Sequence, residues 1–432
     1  MKILRVLAML GLAIPVALAA LPAMAQNVAG EFKIAVVTFL SGPAAAHFGV
    51  PARKGAELSI EMLNAGKFPA PYDSPGINGA MIVPEWVDEA GGATKQVAEF
   101  RNLIQRRGVD LVFGYISSGD CLAIPQVAEE MKALTVLVDC GTPRVFEEAS
   151  YKYVFRTGPH AAMDNVALAR YLLDRNPDVK TIAGLNQNYA WGQDSWNDFI
   201  GSMKTLKPDV EVIDVQFPKL FSGQFGAEIS SLLSKRPDVI HSSFWGADLE
   251  ALIVQGAGRG LFRRSQVVLS AGEHVLHLVG TNMPEGTMLG ARGPHGPFAP
   301  DTAMAKWFHD AYVERWGSVP NQGSFKFTMG LLGVKTAFEN AAAANGGAWP
   351  TTDQVIAAFE GLSWDSPSGP VMMDLADGHQ AIQRNYIGTV VHEDGKVGVT
   401  DVEGYNARCV NPPPGLKSID WINQGFPGAE CD

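Results

Sequence analysis

Residues 32–39 read Phe-Lys-Ile-Ala-Val-Val-Thr-Phe, and this almost continuous apolar run decides the fold class. Such a run predicts a strand that is buried on both faces, as in a parallel sheet covered by helices. Residues 52–65 follow with apolar side chains at helical spacing, which predicts a helix packed on that strand. The combination is typical of an α/β protein.

The same alternation of strands and helices runs twice along the chain. The first series has further predicted strands at 81–86, 111–116, 134–140 and 153–155 and a helix at 94–106. The second series has predicted strands at 181–185, 210–215, 239–244 and 266–269 and helices at 194–206, 223–234 and 249–256. Two doubly wound, Rossmann-like lobes leave a cleft, and ligands of such sheets bind beyond the carboxyl ends of the strands.

The rest of the chain completes the two lobes. Two long helices are predicted at 303–316 and 327–344, and a β-hairpin is predicted to turn at 393–396. We predict an N-terminal lobe from 29–157 plus 288–383 and a C-terminal lobe with its tail from 158–287 plus 384–432.

The N-terminus has the pattern of a secretory signal peptide. Lys2 and Arg5 form a basic start, residues 7–21 are apolar, and Ala23-Met24-Ala25 supplies small residues around one larger residue. The apolar run is shorter than the roughly 20 residues that span a bilayer. We therefore predict cleavage after Ala25, export to the periplasm and a mature chain that is not inserted into the membrane.

The chain is acidic and long enough for more than one core. Its formal net charge of −11 becomes −13 when the two basic residues of the predicted leader are removed. An acidic surface argues against nucleic acid as a partner. An acidic surface does not exclude an anionic ligand, because backbone N–H donors and nearby charges in a binding site can outweigh the net charge of the whole protein.

Four cysteines are present, an even number for an oxidising compartment, and three pairings are possible. We favour Cys409 with Cys431, which ties down the C-terminal tail, and then Cys121 with Cys140. The chain has no CxxC motif, so redox catalysis and a zinc site lack support.

Motifs of common enzyme classes are missing from the sequence. It contains no P-loop, no G-x-S-x-G elbow, no HExxH motif and no dinucleotide fingerprint after the first strand. His274 and His277 lack an evident third metal ligand, and Ser117 and Ser118 lack an evident His and Asp partner. We therefore predict a protein that is not an enzyme and that uses no metal or cofactor.

Two loops after predicted strands have the composition of an anion site. Ser117-Ser118-Gly119-Asp120 precedes a helix, and Cys140-Gly141-Thr142-Pro143 follows the next strand. Hydroxyls and free N–H groups at helix N-termini bind carboxylates. The alternative interpretation is that Ser118 and Thr142 only cap helices.

The sequence resembles the leucine/isoleucine/valine-binding family of periplasmic proteins, which serve ABC importers. The resemblance is carried by six segments of the sequence. They are residues 34–37 with Ser41-Gly42-Pro43, Phe48-Gly49, residues 114–118, residues 140–143, residues 188–193 and Ala271-Gly272-Glu273. It implies the type I periplasmic fold, in which two lobes close on a small molecule, and an inner-membrane ABC permease as partner. In this fold three hinge crossovers join the lobes, and we expect them near 156–159, 289–292 and 383–386.

Residue by residue, the resemblance implies a ligand site formed by ten positions. Ser118 and Thr142 would bind a ligand carboxylate with help from Ser117 and the backbone of Cys140 and Gly141, and Glu273 would meet an ammonium group. The side-chain pocket would be walled by Phe48, Trp191, Trp245 and Phe325. Trp191 and Trp245 stand where the family usually has tyrosines, and Asp120 and Asp139 add acidic groups.

The expected ligand is a small carboxylate, and two classes remain open. Glu273 favours a branched-chain or other apolar amino acid, whereas two indoles favour stacking on a non-amino aromatic carboxylate such as a benzoate or cinnamate derivative. A receptor ectodomain and a secreted hydrolase are the alternative functions for a chain of this kind. The first lacks a following transmembrane helix, and the second lacks a catalytic motif.

Overall fold

The computed structural model describes residues 30–431. The predicted signal peptide and its cleavage after Ala25 lie outside these residues, as does Asp432. Within the described part, no helix combines the length and the apolar character needed to cross a bilayer.

The elements alternate as the sequence predicts. The strands are β1 (Glu31–Thr38), β2 (Met81–Asp88), β3 (Leu111–Gly114), β4 (Thr135–Leu137), β5 (Val154–Arg156), β6 (Thr181–Leu185), β7 (Glu211–Gln216), β8 (Val239–Ser242), β9 (Gln266–Leu269), β10 (Met288–Gly290), β11 (Ser363–Trp364), β12 (Val371–Leu375), β13 (Gln380–Ile382), β14 (Asn385–Glu393) and β15 (Lys396–Tyr405). The α-helices are α1 (Val50–Asn64), α2 (Ala93–Asn102), α3 (Ser118–Met131), α4 (Arg144–Glu147), α5 (Ala161–Arg175), α6 (Ala190–Leu206), α7 (Gly226–Lys235), α8 (Ala247–Arg259), α9 (Glu273–Val279), α10 (Ala303–Trp316), α11 (Gln322–Ala344), α12 (Thr352–Phe359), α13 (Ala407–Val410) and α14 (Ser418–Asn423).

Two sheets form the centres of two lobes. The first has the strand order β11-β12-β13-β5-β4-β3-β1-β2, and the second has the order β15-β14-β10-β9-β8-β6-β7. The strands β1 to β5 pair with one another in parallel, as do β6 to β10, whereas β10 pairs antiparallel with β14 on its other side. The predicted α/β class with two doubly wound lobes is confirmed.

The apolar run that decides the fold is buried on both faces. Successive side chains of a strand point to opposite faces, and in β1 they enter different cores. Phe32, Ile34 and Val36 join one cluster of buried residues, and Ala35 and Val37 join another. This two-sided burial explains the continuous apolar run from Ile34 to Val37, whereas Lys33 before it is exposed.

The chain passes between the sheets three times within residues 30–431, as the three predicted crossovers require. It leaves the first sheet after β5, returns after β10 and crosses again between β13 and β14. One predicted boundary is too early. We placed residues from 288 onward in the first lobe, but Met288 pairs with Val268 and Thr389 in the second sheet.

The two disulfides and the β-hairpin of the structure match the sequence predictions. Cys121 is bonded to Cys140 and Cys409 to Cys431. The predicted hairpin joins β14 to β15 through Asp394 and Gly395, which have φ values of 51° and 73°. Positive φ at both turn residues is typical of a type I′ hairpin.

Candidate functional site

A small cavity lies between the two sheets, at the carboxyl ends of their parallel strands. Its volume is about 20 Å³, which is room for about one water molecule. Most of the lining comes from segments that directly follow strands, where a ligand site is expected in this class of fold. The lining residues are Phe48, Ile116, Ser118, Asp139, Gly141, Tyr189, Trp191, Trp245, Ala271, Arg292 and Gln322.

The structure brings half of the predicted ligand contacts to this cavity. The predicted residues in the lining are Phe48, Ser118, Gly141, Trp191 and Trp245. The predicted residues outside it are Ser117, Cys140, Thr142, Glu273 and Phe325. The assignment of this second group as direct contacts therefore stays a prediction from the resemblance.

The Ser118 hydroxyl binds the loop that follows β4. Its Oγ accepts hydrogen bonds from the N–H groups of Gly141 at 3.1 Å and Thr142 at 3.2 Å. These N–H groups are among the donors predicted for a ligand carboxylate. A carboxylate that takes them must displace Ser118 Oγ, whose own proton is then available to the carboxylate.

A pair of buried carboxyl groups, Glu89 and Asp120, lies beside the loop before α3. Glu89 accepts hydrogen bonds from the N–H groups of Ile116 at 2.8 Å and Ser117 at 2.7 Å, so these two donors are already used. Burial and the adjacent Asp120 raise the pKa of Glu89 well above its ordinary value. Burial also raises the pKa of Asp120 to about 6. Sequence reasoning missed Glu89, whose only signal is its place directly after β2.

We expect Asp120→Asn to weaken the pH dependence of stability. The folded protein holds the Asp120 proton up to about pH 6, whereas the unfolded chain releases it near pH 4. Between pH 5 and 7 the folded state binds more protons than the unfolded state, so the free energy of unfolding falls by about 1 kcal/mol as the pH rises. Urea unfolding should show a smaller fall in Asp120→Asn than in Asp178→Asn, a control at an exposed position. Equal falls in both variants and the wild type would contradict this role.

Four buried charges meet beside the cavity. Arg292 donates to Asp139 Oδ1 at 2.7 Å and to Asp164 Oδ2 at 2.9 Å, and Lys326 also donates to Asp139 Oδ1. Each of the four residues is at most 5 % exposed. Asp164 lies on α5 of the second lobe, and Lys326 lies on α11 of the first. The cluster of two cations and two carboxylates therefore links the lobes next to the second crossover.

Two members of this charge cluster, Asp139 and Arg292, line the cavity. Asp139 Oδ2 has no hydrogen-bond partner among residues 30–431. Burial, together with the charge of Arg292, lowers the pKa of Lys326 to about 8, and burial raises the pKa of Asp164. Sequence reasoning missed Arg292 as a site residue, although a lone arginine in a predicted crossover is a usable signal.

Trp191 covers the cavity from the second lobe. Its indole N–H donates to the Ser243 carbonyl at 2.8 Å, and the Arg292 guanidinium carbon lies 4.4 Å from the centre of its ring system. The indole lies directly against Gly141, where an added Cβ would be 2.3 Å from ring carbons. Position 141 therefore has to be glycine for the lobes to approach this closely.

We expect Gly141→Ala to hold the lobes apart at this contact. A Cβ at 2.3 Å from the Trp191 ring and 2.7 Å from an Arg292 nitrogen has no room, and overpacking of this kind costs about 1–3 kcal/mol. Ligand affinity should fall by that amount, because the closed arrangement is the one that is penalised. The matched control is Gly119→Ala, where the nearest atom to an added Cβ is 3.6 Å away. Equal affinities of the two variants in calorimetry would contradict the steric argument.

Aromatic side chains form the apolar part of the cavity wall. The Phe48 and Trp245 rings meet edge to face with centroids 6.2 Å apart. Trp245 also contacts Phe39 and Phe221, with centroid separations of 5.8 and 5.2 Å. The wall is therefore shared between lobes, because Phe48 precedes α1 and Trp245 follows β8.

Two of the predicted ligand contacts, Glu273 and Phe325, lie outside the cavity lining. Glu273 is fully buried at the start of α9 and accepts a hydrogen bond from the N–H of Gln322 at 2.8 Å. Burial raises the pKa of Glu273 to about 7. Phe325 packs edge to face on Phe308, with centroids 4.9 Å apart, in a separate apolar cluster.

Contacts at the rim hold the two lobes together around the cavity. The N–H of Ala247 donates to the Pro43 carbonyl at 3.0 Å, and Arg144 donates to Asp194 at 3.1 Å. Both contacts join a segment of the first lobe to a helix of the second. The cleft is therefore closed in this structure.

The sequence matches one known protein family and several related proteins. Residues 31–396 match the model of the family described as periplasmic binding protein. The Leu/Ile/Val-binding protein homolog 4 of Brucella melitensis is 24 % identical over 364 residues, which cover 82 % of each chain. Homolog 3 of the same organism is 26 % identical over 257 residues, 56 % of this chain and 66 % of that relative.

Solved structures share the fold. The solute-binding protein of an ABC transporter from Rhodopseudomonas palustris BisB5, in complex with 3,4-dihydroxybenzoic acid, has a TM-score of 0.74 at 21 % identity, over 87 % of this chain and 98 % of that chain. The leucine-, isoleucine-, valine-, threonine- and alanine-binding protein of Brucella ovis, in a closed conformation, has a TM-score of 0.72 at 23 % identity, over 90 % and 98 %. The two bind different ligand classes on one architecture, so the fold alone does not select a ligand.

Proposed function

Because the chain belongs to the periplasmic binding protein family, we propose that it is the solute-binding protein of an ABC importer and captures a small apolar amino acid in the cleft. The lobes, near 30–157 plus 291–383 and 158–290 plus 384–431, rotate about the three crossovers. The closed form is the one that an inner-membrane permease recognises. Two disulfides suit the periplasm, where the oxidising environment maintains them.

The observation that carries the ligand class is the pairing of opposite charges at the cavity. Asp139 offers Oδ2, which is free of other partners among residues 30–431, and the lining also contains Arg292 and the Ser118 hydroxyl. The surrounding cluster is balanced, with two cations and two carboxylates. A zwitterion preserves this balance, whereas an anion without an amine adds an uncompensated buried charge.

The remaining wall suits an apolar side chain. Phe48, Trp191 and Trp245 are each at most 5 % exposed and present ring surface to the cavity. Burying apolar ligand surface against such rings contributes about 25 cal/mol per Å². We assign the ligand ammonium to Asp139 and its carboxylate to Ser118 and the N–H groups of Gly141 and Thr142.

A non-amino aromatic carboxylate is the second candidate. Trp191 and Trp245 support it, because two indoles can stack on a flat ring. The same protein groups would donate hydrogen bonds to the carboxylate of either ligand. The two candidates differ at Asp139, because an aromatic acid without an amine offers this carboxylate no cation.

Either ligand requires the cleft to open. A cavity of about 20 Å³ holds about one water molecule, so Trp191 or the lobes must move before a solute enters. The ligand then favours the closed form only to the extent that it binds that form more tightly. No covalent step is needed, and the solute is released unchanged.

Titration of the mature protein with leucine, phenylalanine and 4-hydroxybenzoate tests the proposal. We expect leucine or phenylalanine to bind, and to add about 1.4 kcal/mol to the free energy of unfolding at ten times its dissociation constant. Mass spectrometry of the released solute should show it unchanged. Binding of 4-hydroxybenzoate alone would favour the second candidate, and chemical conversion of the solute would contradict both.

A further inference from the structure

A second cavity lies between the first lobe and the C-terminal tail of the second lobe, and it shares no lining residue with the cleft cavity. Its volume is about 170 Å³, close to the roughly 150 Å³ of an engineered protein cavity that binds benzene. One wall is the segment from Pro143 to Glu147, a second is formed by Arg156 and Gln380, and the third is the tail from Pro412 to Lys417.

Arg156 is a buried cation at this cavity whose guanidinium bonds to no carboxylate among residues 30–431, although Glu147 acts on it through its charge. It is fully buried, and its Nη1 donates to the carbonyls of Cys140 at 3.0 Å and Thr142 at 2.6 Å. Its Nε donates to Gln380, whereas Nη2 has no hydrogen-bond partner among residues 30–431. Arg156 also forms no ion pair within the described part of the chain. A buried guanidinium in this condition is costly, and an anion relieves that cost.

The other polar groups around the cavity also favour an anion. His160 is 3 % exposed, and its Nδ1 has no partner among the described residues. Lys417 stands at the mouth as an exposed second cation. The one acid in the lining is Glu147, which accepts a hydrogen bond from the N–H of Ser418 at 2.9 Å. Two cations face one carboxylate, so one further negative charge balances the cavity.

The shape and the apolar walls narrow the class of anion. Phe146, Leu375, Pro413 and Leu416 line the same space, and they offer nothing to the outer oxygens of a phosphate or sulfate. We propose that this cavity is a second ligand site that binds a small monocarboxylate with an apolar body, with the carboxylate on Arg156 and the body between Phe146 and Leu416.

Burial and the charge of Arg292 lower the pKa of Arg156 to about 9, and the opposing charge of Glu147 is too weak to offset them. The same forces, with Arg156 itself, lower the pKa of His160 to about 3. The imidazole is therefore neutral at neutral pH and donates or accepts one hydrogen bond at Nδ1. The charge at the site comes from Arg156 and Lys417.

The test uses 4-fluorobenzoate as the probe and fluorine NMR as the readout. We expect binding with a dissociation constant at or below about 1 mM, and at least tenfold weaker binding of the neutral isostere 4-fluorobenzamide. Hydrogen exchange at the backbone of residues 415–418 should slow when the probe is added. Equal binding of the acid and the amide, or no binding of either, would overturn the proposal.

Variants separate this site from the cleft. Arg156→Met should weaken 4-fluorobenzoate at least tenfold. Because loss of a buried arginine can prevent folding, Leu416→Trp provides a second test: Leu416 is partly exposed, and a tryptophan there fills the cavity from the tail. The cleft variant Trp245→Leu should leave the probe bound and residues 415–418 protected. Retention of binding in Leu416→Trp together with its loss in Trp245→Leu would assign the probe to the cleft and refute the second site.

Discussion

Replacing Arg292 with methionine is expected to lower the free energy of unfolding by about 3–5 kcal/mol. The guanidinium binds Asp139 at 2.7 Å and Asp164 at 2.9 Å, and both carboxylates are 1 % exposed. Without the arginine, Asp164 loses its ion pair and Asp139 keeps only Lys326. Two buried negative charges then share one cation, and desolvation is no longer offset.

Urea unfolding of the purified variant measures this loss. The matched control is Arg101→Met, which removes an arginine that pairs with Glu130 at the surface, where the side chains are 38 % and 61 % exposed. Exposed pairs of this kind contribute about 0–1 kcal/mol. If Arg292→Met costs no more than the control, the charge cluster does not stabilise the joint between the lobes.

Replacing Asp139 with asparagine is expected to weaken amino-acid binding by about 2–5 kcal/mol, because the ligand ammonium loses a desolvated partner. A non-amino aromatic acid should bind as well as before or better, since an anion no longer faces a carboxylate. Calorimetry against leucine, phenylalanine and 4-hydroxybenzoate measures both effects.

Two controls isolate the role of Asp139 in binding. Asp164→Asn removes the other carboxylate of Arg292, which lies outside the cavity lining, so it reports the effect of disturbing the cluster alone. Glu273→Gln tests the acid that the family resemblance favours. A loss of amino-acid affinity in Glu273→Gln but not in Asp139→Asn would return the ammonium site to Glu273.

The sequence predicted the architecture and the location of the cavity because both depend on local pattern. Apolar runs located the strands, the rule on strand ends selected Ser118 and Gly141, and the family resemblance added Trp191 and Trp245. Phe325 was assigned to the pocket wall from the family resemblance, which stays a prediction, and the helix there was predicted to begin at residue 327. The observed helix α11 begins at Gln322, so Phe325 has a helical position and packs on Phe308.

Long-range contacts explain what the sequence did not predict. Helix α5 carries buried residues around nearly its whole circumference, so it lacks the one-sided periodicity that identifies a surface helix. Arg292 and Asp164 are 128 positions apart, and no spacing rule connects them. The resemblance gave Glu273 as the acidic partner of the ligand, whereas the acid that lines the cavity is Asp139. Asp139 is placed there by long-range contacts, which no local pattern in the sequence shows.

The disulfide between Cys121 and Cys140 holds one half of the binding site in place before a solute binds. It joins α3, which begins with Ser118, to the loop that contains Gly141, so the first lobe offers these groups at a fixed spacing before closure. A preorganised half-site loses little conformational freedom when the solute arrives. Discrimination among solutes then depends on how well the second lobe closes over them, and it should appear mainly in dissociation rates.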